Sequence, residues 1–307
     1  MKIITLTLNP AFDIHCYSES FYPHRENICS VISREAGGKG INISRALASV
    51  GVESTAVALL GSENADEFSG MLTSDKINFI FIPYDGRIRE NITLHENNKP
   101  ETRISFQGSF CNNNILSGIR SAIGAVDTQT VITLTGSIPD GISSDDILSL
   151  LSEYKAIGAK IVIDSRSISF EKLIRFKPWL IKPNRSEAEK YTDIAIDTHE
   201  DAKAAAQKFI SEGVENVLIS LGADGMILAR EDTVAYAHVP KTDVISTIGA
   251  GDSSIAGFID AYITGADICG LLKRAAAFGT AACLSKGTQP PLLFDIDRIE
   301  CEIEISF

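Results

Sequence analysis

No stretch of the 307 residues approaches the roughly 18 consecutive apolar residues that a membrane-spanning helix requires. The start, Met1 to Leu8, alternates like a strand and lacks the small-residue end of a cleavable signal. The six cysteines, at 16, 29, 111, 269, 283 and 301, form no close pair and no metal-ligand spacing. Disulfide frameworks and zinc sites are thereby disfavoured, and free thiols in a reducing, cytoplasmic compartment are expected. The Asn-x-Ser/Thr matches at Asn42, Asn91 and Asn184 then carry no glycosylation meaning. Positive charge is in deficit, 28 Lys and Arg against 40 Asp and Glu for a net −12, which argues against nucleic acid or an anionic membrane as partner. Anionic small molecules would have to be drawn in by a local cluster of cations. Two nucleotide fingerprints are missing as well. There is no Walker A loop, and the first strand runs into Asn9-Pro10-Ala11-Phe12-Asp13 without the glycines of a dinucleotide-binding turn. A dehydrogenase is the least favoured class.

What the chain does have is two glycine-rich helix starts. Ser246-Thr247-Ile248-Gly249-Ala250-Gly251-Asp252-Ser253 leads into Ile255, Phe258, Ile259, Tyr262 and Ile263, the spacing of a helix with one apolar face. Unpaired N–H groups at Gly249, Ala250 and Gly251 and the positive end of the helix dipole favour negative charge there. Asp252 either caps that helix or takes a proton from a hydroxyl attacking phosphorus. Residues 36 to 42, Ala-Gly-Gly-Lys-Gly-Ile-Asn, precede Ile43, Ala46, Leu47 and Val50 at the same helical spacing. Alone, that second motif could be no more than a tight turn.

With 44% hydrophobic and 22% charged residues, the composition is that of an ordinary globular chain. Strands are predicted at 3–8, 55–60, 131–135, 160–164, 178–182, 216–221 and 226–229. Helices are predicted between them at 41–50, 65–74, 114–124, 144–157, 200–212, 252–263 and 268–284. This alternation predicts an α/β fold, a parallel sheet with helices on both faces. Residues 11–35 and 78–108 break the pattern with short strands that follow one another without a full helix. No internal repeat, linker or low-complexity segment is present.

The chain resembles the PfkB (ribokinase-like) carbohydrate kinases over essentially its whole length. The two glycine motifs look like that family's signatures. Thr7 to Asp13, Thr135 to Gly141 and Ile181 to Glu187 fall in the expected order between and before them. The wording is most similar to the hexose-phosphate branch, which holds 1-phosphofructokinase, tagatose-6-phosphate kinase and the minor 6-phosphofructokinase. The resemblance implies a ribokinase-like α/β domain (1–10, 36–77 and 109–307). It also implies a discontinuous β lid (11–35 and 78–108) that in relatives often packs on its counterpart in a dimer.

The resemblance also implies an enzyme, a phosphotransferase with an alcohol acceptor that uses ATP and Mg²⁺ on a ketohexose phosphate. Asp252 would be the base, with Gly249, Ala250 and Gly251 stabilising transition-state charge. Asp13 and Asn42 would hold sugar hydroxyls, Gly38 and Lys39 would line the same pocket, and Arg89, Arg103 and Ser137 would meet the sugar's phosphate. Asn184, Ser220, Gly222, Gly225 and Gly279 would bind nucleotide, and Glu187 would organise the metal. Ala276 and Ala282 would border the adenine beside Gly279, unless all three serve helix packing. Fructose 1-phosphate, tagatose 6-phosphate and fructose 6-phosphate are the candidate acceptors. A kinase of an unphosphorylated sugar or nucleoside, or a non-catalytic sugar-phosphate sensor, is the alternative. The chain departs from the branch at Ile104–Phe110 and at Glu26. It departs again at Asp164-Ser165-Arg166-Ser167, where Asp-Ser-Ser-Gly or Asp-Thr-Ser-Gly is common.

Overall fold

Near-continuous apolar runs belong to strands covered on both faces. Lys2–Thr7 (β1) is such a run, buried from its second residue onward. After it come β2 (Ala11–Tyr17), β3 (Ser30–Gly37), helix α1 (Lys39–Ala48), β4 (Thr55–Gly61), α2 (Ala65–Ser74), β5 (Asn78–Tyr84), β6 (Arg89–His95), β7 (Thr102–Ser105) and α3 (Ile115–Ile123). The middle of the chain forms β8 (Thr130–Thr135), α4 (Ser144–Ile157), β9 (Lys160–Asp164), α5 (Phe170–Phe176), β10 (Leu180–Ile181), α6 (Arg185–Thr192) and α7 (His199–Ser211). The last third adds β11 (Asn216–Ser220), β12 (Met226–Arg230), β13 (Thr233–His238), α8 (Ala250–Ile263), α9 (Ile268–Ala282), α10 (Leu293–Glu302) and β14 (Glu304–Ser306). This computed structural model describes residues 1–97, 99–111 and 114–307.

Ten strands form one sheet in the order β14-β13-β12-β11-β10-β9-β8-β1-β4-β5. From β11 to β5 every neighbour is parallel, and β12, β13 and β14 continue the other edge antiparallel. Alternate residues serve opposite faces. Ile4, Leu6, Ile132 and Leu134 pack with residues of α3 to α7, such as Ile119, Leu151 and Phe209. Ile3, Val131 and Leu218 pack with residues of α1, α8, α9 and α10, such as Leu47, Phe258, Phe278 and Ile299. Each large apolar side chain so buried stabilises the fold by roughly 1.5–3 kcal/mol, enough to fix the strand ends that carry the polar residues described below. Among the described residues no helix is long and apolar enough to cross a membrane.

The expected parallel sheet with helices on both faces and a separate small sheet is what the chain forms. The small sheet has the order β3-β2-β6-β7, with a parallel central pair, β2 and β6, and an antiparallel hairpin partner on each side. One boundary needs correction. Residues 78–84 were expected in the lid, but β5 pairs parallel with β4 in the large sheet, from Thr55↔Asn78 to Gly61↔Tyr84. Helix α2 is the crossover that a parallel pair requires, so β4-α2-β5 is one unit and the lid's second stretch begins after Tyr84. The strand expected at 178–182 shrinks to Leu180–Ile181 between Pro178 and Pro183, which have no N–H to give a ladder. Strands β13 and β14 and helices α5, α6 and α10 were not foreseen.

Side-chain contacts tie the lid to the body. Arg34 on β3 reaches Glu67 on α2 and Glu90 on β6, both at 2.8 Å, and its guanidinium lies 4.1 Å from the centre of the Phe12 ring. On the other side, the Thr288 hydroxyl donates to Glu35 Oε2 at 3.1 Å.

Candidate active site

Polar side chains gather at the carboxyl ends of the parallel strands, where open α/β sheets hold their ligands. The glycines of 37–40 put α1 there. A Cβ at Gly38 would come within 2.5 Å of Thr7 Cγ2, and one at Gly40 within 2.6 Å of Thr7 Oγ1, so only glycine lets the first turn of α1 press on the end of β1. The Ile41 N–H then donates to Thr7 Oγ1 at 3.1 Å. Lys39 and Asn42 project from this turn toward the N-terminus of α8.

Helix α8 starts from Gly249, whose backbone is left-handed at φ 78°, and no side chain caps it. Asp252 lies within the first turn, three residues past the cap, so the capping alternative falls. Its carboxyl is buried and accepts a hydrogen bond from Asn42 Nδ2 at 2.9 Å. Burial pushes its pKa up to about 6, against the lowering pull of Lys39 and of the Asn42 amide. A second carboxylate nearby behaves oppositely. Asp164, at the end of β9, is also buried, yet Lys182 and Lys39 outweigh that burial and hold its pKa below the usual range. Lys39 Nζ lies 2.9 Å and Lys182 Nζ 4.0 Å from the same Asp164 oxygen. Two neighbouring carboxyls pushed apart in this way divide the work. Asp164 stays ionised as an anchor for two cations, and Asp252 is poised to exchange a proton near neutral pH. Lys182 also packs on the start of α8, its Nζ 2.8 Å from where a Cβ on Gly251 would sit.

The lid supplies a second group. Asp13, Asn91, Arg89 and Arg103 share one face of the small sheet, as the registers Asp13↔Asn91 and Thr93↔Arg103 require. Asp13 Oδ1 accepts from Asn91 Nδ2 at 2.9 Å. Burial raises the Asp13 pKa, and Asn91, Arg103, His15 and Arg89 oppose it. Arg89 donates to the carbonyls of Phe106 (2.9 Å) and Asn9 (3.2 Å), while its Nε is buried without a hydrogen-bond partner. Burial lowers its pKa, and Asp13 works against that. Arg103 stands exposed on β7. Ser137, past the end of β8, accepts from Asn9 Nδ2 at 2.9 Å.

On the other side of α8, Asn184 and Glu187 form a capping box at the start of α6. Asn184 Oδ1 accepts the Glu187 N–H at 2.9 Å, and Glu187 Oε2 accepts the Asn184 N–H at 3.1 Å. Glu187 Oε1 accepts from Arg166 Nε at 2.9 Å. Asn184 bridges to Ser220 at the end of β11. Beyond it Gly222 has a left-handed backbone and open space, whereas a Cβ at Gly225 would lie 2.1 Å from the Ala237 carbonyl oxygen. For Gly279, Ala276 and Ala282 the sequence left two alternatives, bordering the adenine or helix packing. All three are buried in α9, and a Cβ at Gly279 would sit 2.3 Å from Ser254 Oγ on α8, so helix packing accounts for their size.

Among the described residues no group of three His, Cys, Asp or Glu could cage a metal. Asp164 and Glu187 line one small cavity with Arg166 and Lys182. Two hard oxygen donors and no cage suit Mg²⁺, which keeps its waters and takes one or two carboxylates plus phosphate oxygens. Sequence reasoning passed over Lys182, Asp164 and Asn91. The first two stand at predicted strand ends, which was the available signal.

The model of the pfkB family carbohydrate kinases matches residues 7–294. The chain belongs to this family. It is 33% identical over 306 residues to a 1-phosphofructokinase of Borreliella burgdorferi, an alignment that covers 99% of this chain and 98% of that one. With the 1-phosphofructokinase of Bacillus subtilis it shares 30% over 257 residues, 84% of each chain. The fold matches the crystal structure of Escherichia coli phosphofructokinase-2 with potassium at a TM-score of 0.92, over 98% of both chains and at 24% identity. Within a pfkB kinase the arrangement has a consistent sense. A buried carboxyl lies at an uncapped helix N-terminus with two lysines and a carboxylate-lined cavity beside it, and the lid carries two arginines.

Proposed function

We infer that this chain is an ATP-dependent kinase that phosphorylates a hydroxyl of a ketohexose phosphate, with fructose 1-phosphate as the first candidate acceptor. The observation that carries the chemistry is Asp252, a buried carboxyl with a pKa near 6 at the N-terminus of α8. The acceptor hydroxyl attacks the γ-phosphorus and gives its proton to Asp252, and the bond from that phosphorus to the bridging oxygen of ADP breaks. The N–H groups of Gly249 and Gly251 face the charge that develops on the transferred group, whereas that of Ala250, expected to be unpaired, donates to the Thr247 carbonyl at 3.4 Å and would have to turn from it to join them. Lys39 and Lys182 add positive charge beside them. Mg²⁺, held by Glu187 and Asp164 with phosphate oxygens and water, would neutralise charge on the nucleotide's phosphates.

Asp13 binds sugar hydroxyls and Asn91 keeps its carboxyl in place. Asn42 was expected on the sugar as well. Its amide is committed to Asp252 in this structure, so its first role is to orient the base. Arg89 and Arg103 receive the phosphate that the acceptor already carries, which is the support for a sugar phosphate over a free sugar or nucleoside. Asn184, Ser220, Gly222 and Gly225 shape the nucleotide side, Asn184 through the cap that it gives α6. Ser137 positions Asn9, a neighbour of the Arg89 guanidinium.

The direct test is ADP release with Mg²⁺ on fructose 1-phosphate, fructose 6-phosphate, tagatose 6-phosphate, fructose and ribose. One phosphorylated ketose should dominate in kcat/KM. Turnover of free sugars alone would overturn the arginine assignment, and sugar-phosphate binding without turnover would make the chain a sensor.

The outer face of the small sheet leaves Val31, Ile32 and Ile104 exposed at 66%, 60% and 43%. A second copy of the chain, docked lid to lid, would cover them. A tetrameric form is recorded for Escherichia coli phosphofructokinase-2. Sedimentation as a monomer at micromolar concentration would remove this part of the reading. The six free thiols support a reducing, cytoplasmic setting.

A further inference from the structure

Arg166 stands two residues past Asp164, where the loop after β9 opens on the carboxylate-lined cavity. Its Nε holds Glu187 Oε1 at 2.9 Å, and among the described residues its two terminal nitrogens donate to nothing. The side chain is 80% exposed and Glu187 21% exposed. An ion pair this open to solvent contributes little to stability and is given up easily. Glu187 is already fixed from its other oxygen by the Asn184 N–H, so it keeps its place whether or not Arg166 is there.

The guanidinium therefore sits on the carboxylate oxygen that a divalent cation would take, with four N–H donors directed at nothing else. A planar fork of that kind pairs with phosphate oxygens through charge-assisted hydrogen bonds, which are stronger than the exposed pair it would leave. Lys182 and Lys39 are occupied with Asp164 on the inner side of the same cavity. Arg166 is the cation at its outer rim.

We propose that Arg166 is a built-in counter-ion for the polyphosphate of a nucleoside triphosphate, swinging from Glu187 to pair with the phosphates while no metal is bound and yielding that role to the cation when one arrives. The proposal rests on the reading that a nucleotide binds in this cavity. It means that metal-free ATP, whose charge is otherwise unscreened, still binds this chain. It also separates two quantities that a purely structural arginine would move together, the affinity for ATP in EDTA and the affinity for ATP with saturating Mg²⁺.

Calorimetric titration of ATP under both conditions, on the wild type, Arg166→Ser and Arg166→Lys, reads them directly. Arg166→Ser should bind metal-free ATP about tenfold more weakly, the loss of one charged hydrogen-bonding partner, and bind MgATP within about twofold of wild type. Arg166→Lys, which keeps the charge and loses the fork, should fall between. An unchanged affinity in EDTA, or equal losses in both conditions, overturns the proposal. If the wild type binds no ATP in either condition, the nucleotide reading itself has failed, and that outcome is distinct from a variant that merely matches the wild type.

Discussion

Asp252→Asn is expected to lower kcat by roughly 10²–10⁴-fold, the range for removal of a positioned base, with little change in either KM. The amide keeps the shape of the carboxyl, and its oxygen can still accept from Asn42 Nδ2, so the contact between α1 and α8 survives. What is lost is the capacity to take the hydroxyl proton. The wild-type kcat/KM should accordingly fall on the acid side with a midpoint near pH 6, where the buried carboxyl becomes protonated, and that limb should be absent from whatever activity the variant retains.

The same substitution has a thermodynamic signature of opposite sign. The folded-state pKa of about 6 lies above the ordinary 3.8, so the native chain binds this proton more tightly than the unfolded chain does. Stability is therefore lost as pH rises from about 4 to about 6, and above that window the ionised carboxyl costs on the order of 3 kcal/mol. An amide never ionises. The variant should unfold at higher denaturant concentration than the wild type at pH 8, and the advantage should shrink steadily below pH 6. Turnover near wild type, or a variant less stable at pH 8 than at pH 5 relative to the parent, would count against the assignment.

Arg89→Ala should raise KM for the sugar phosphate by about 10²-fold and KM for ATP by less than about twofold, since removal of a charged hydrogen-bonding partner costs roughly 1.5–3 kcal/mol. Arg89 ranks above Arg103 because its Nε is buried with no acceptor, a cost that a bound phosphate would relieve, whereas Arg103 is solvated before the ligand arrives. Arg103→Ala should therefore have the smaller effect, about tenfold. Arg89 also holds the carbonyls of Phe106 and Asn9. Arg89→Lys provides the control, retaining charge and most of the packing while losing the bidentate geometry. Equal changes in both KM values would point to lid distortion and away from a phosphate clamp.

The parts of the site that could be read from the sequence are those whose reason is local and steric. Gly38, Gly40 and Gly249 are where they are because a Cβ would strike the end of β1 or the backbone turns left-handed, and such constraints leave a recognisable pattern. Asp252 was legible through its place in the helix start. Its raised pKa was not, because that comes from burial, which exists only once distant elements close over the start of α8, and Lys39 and Asn42 from α1 work against it. Lys182 lay in plain view within Ile181 to Glu187, yet only the stacking of β10 beside β9 and under α8 gives it two jobs. Asn184-x-x-Glu187 shows the converse: its spacing is that of a capping box, a local explanation that the resemblance to a ligand motif overshadowed. The misplaced β5 was a failure of context. Its exposed Ile80 and Phe81 suit an edge strand, and the preceding α2 already marked it as the second half of a parallel unit.

The topology of the lid sets the order in which this molecule can assemble. The hairpins β2-β3 and β6-β7 are local, but the pair that joins them is parallel, and Asp13 meets Asn91 across 78 residues that include α1, β4, α2 and β5. A parallel pair cannot form by zipping from a turn; its ends must be delivered together by whatever folds between them. The small sheet is therefore completed only after the β4-α2-β5 unit has docked beside β1. Run in reverse, the same order lets the lid's ladder open as a unit while the ten-stranded sheet stays intact. Ligand exchange would then need only the least stable, last-formed piece of the fold to give way.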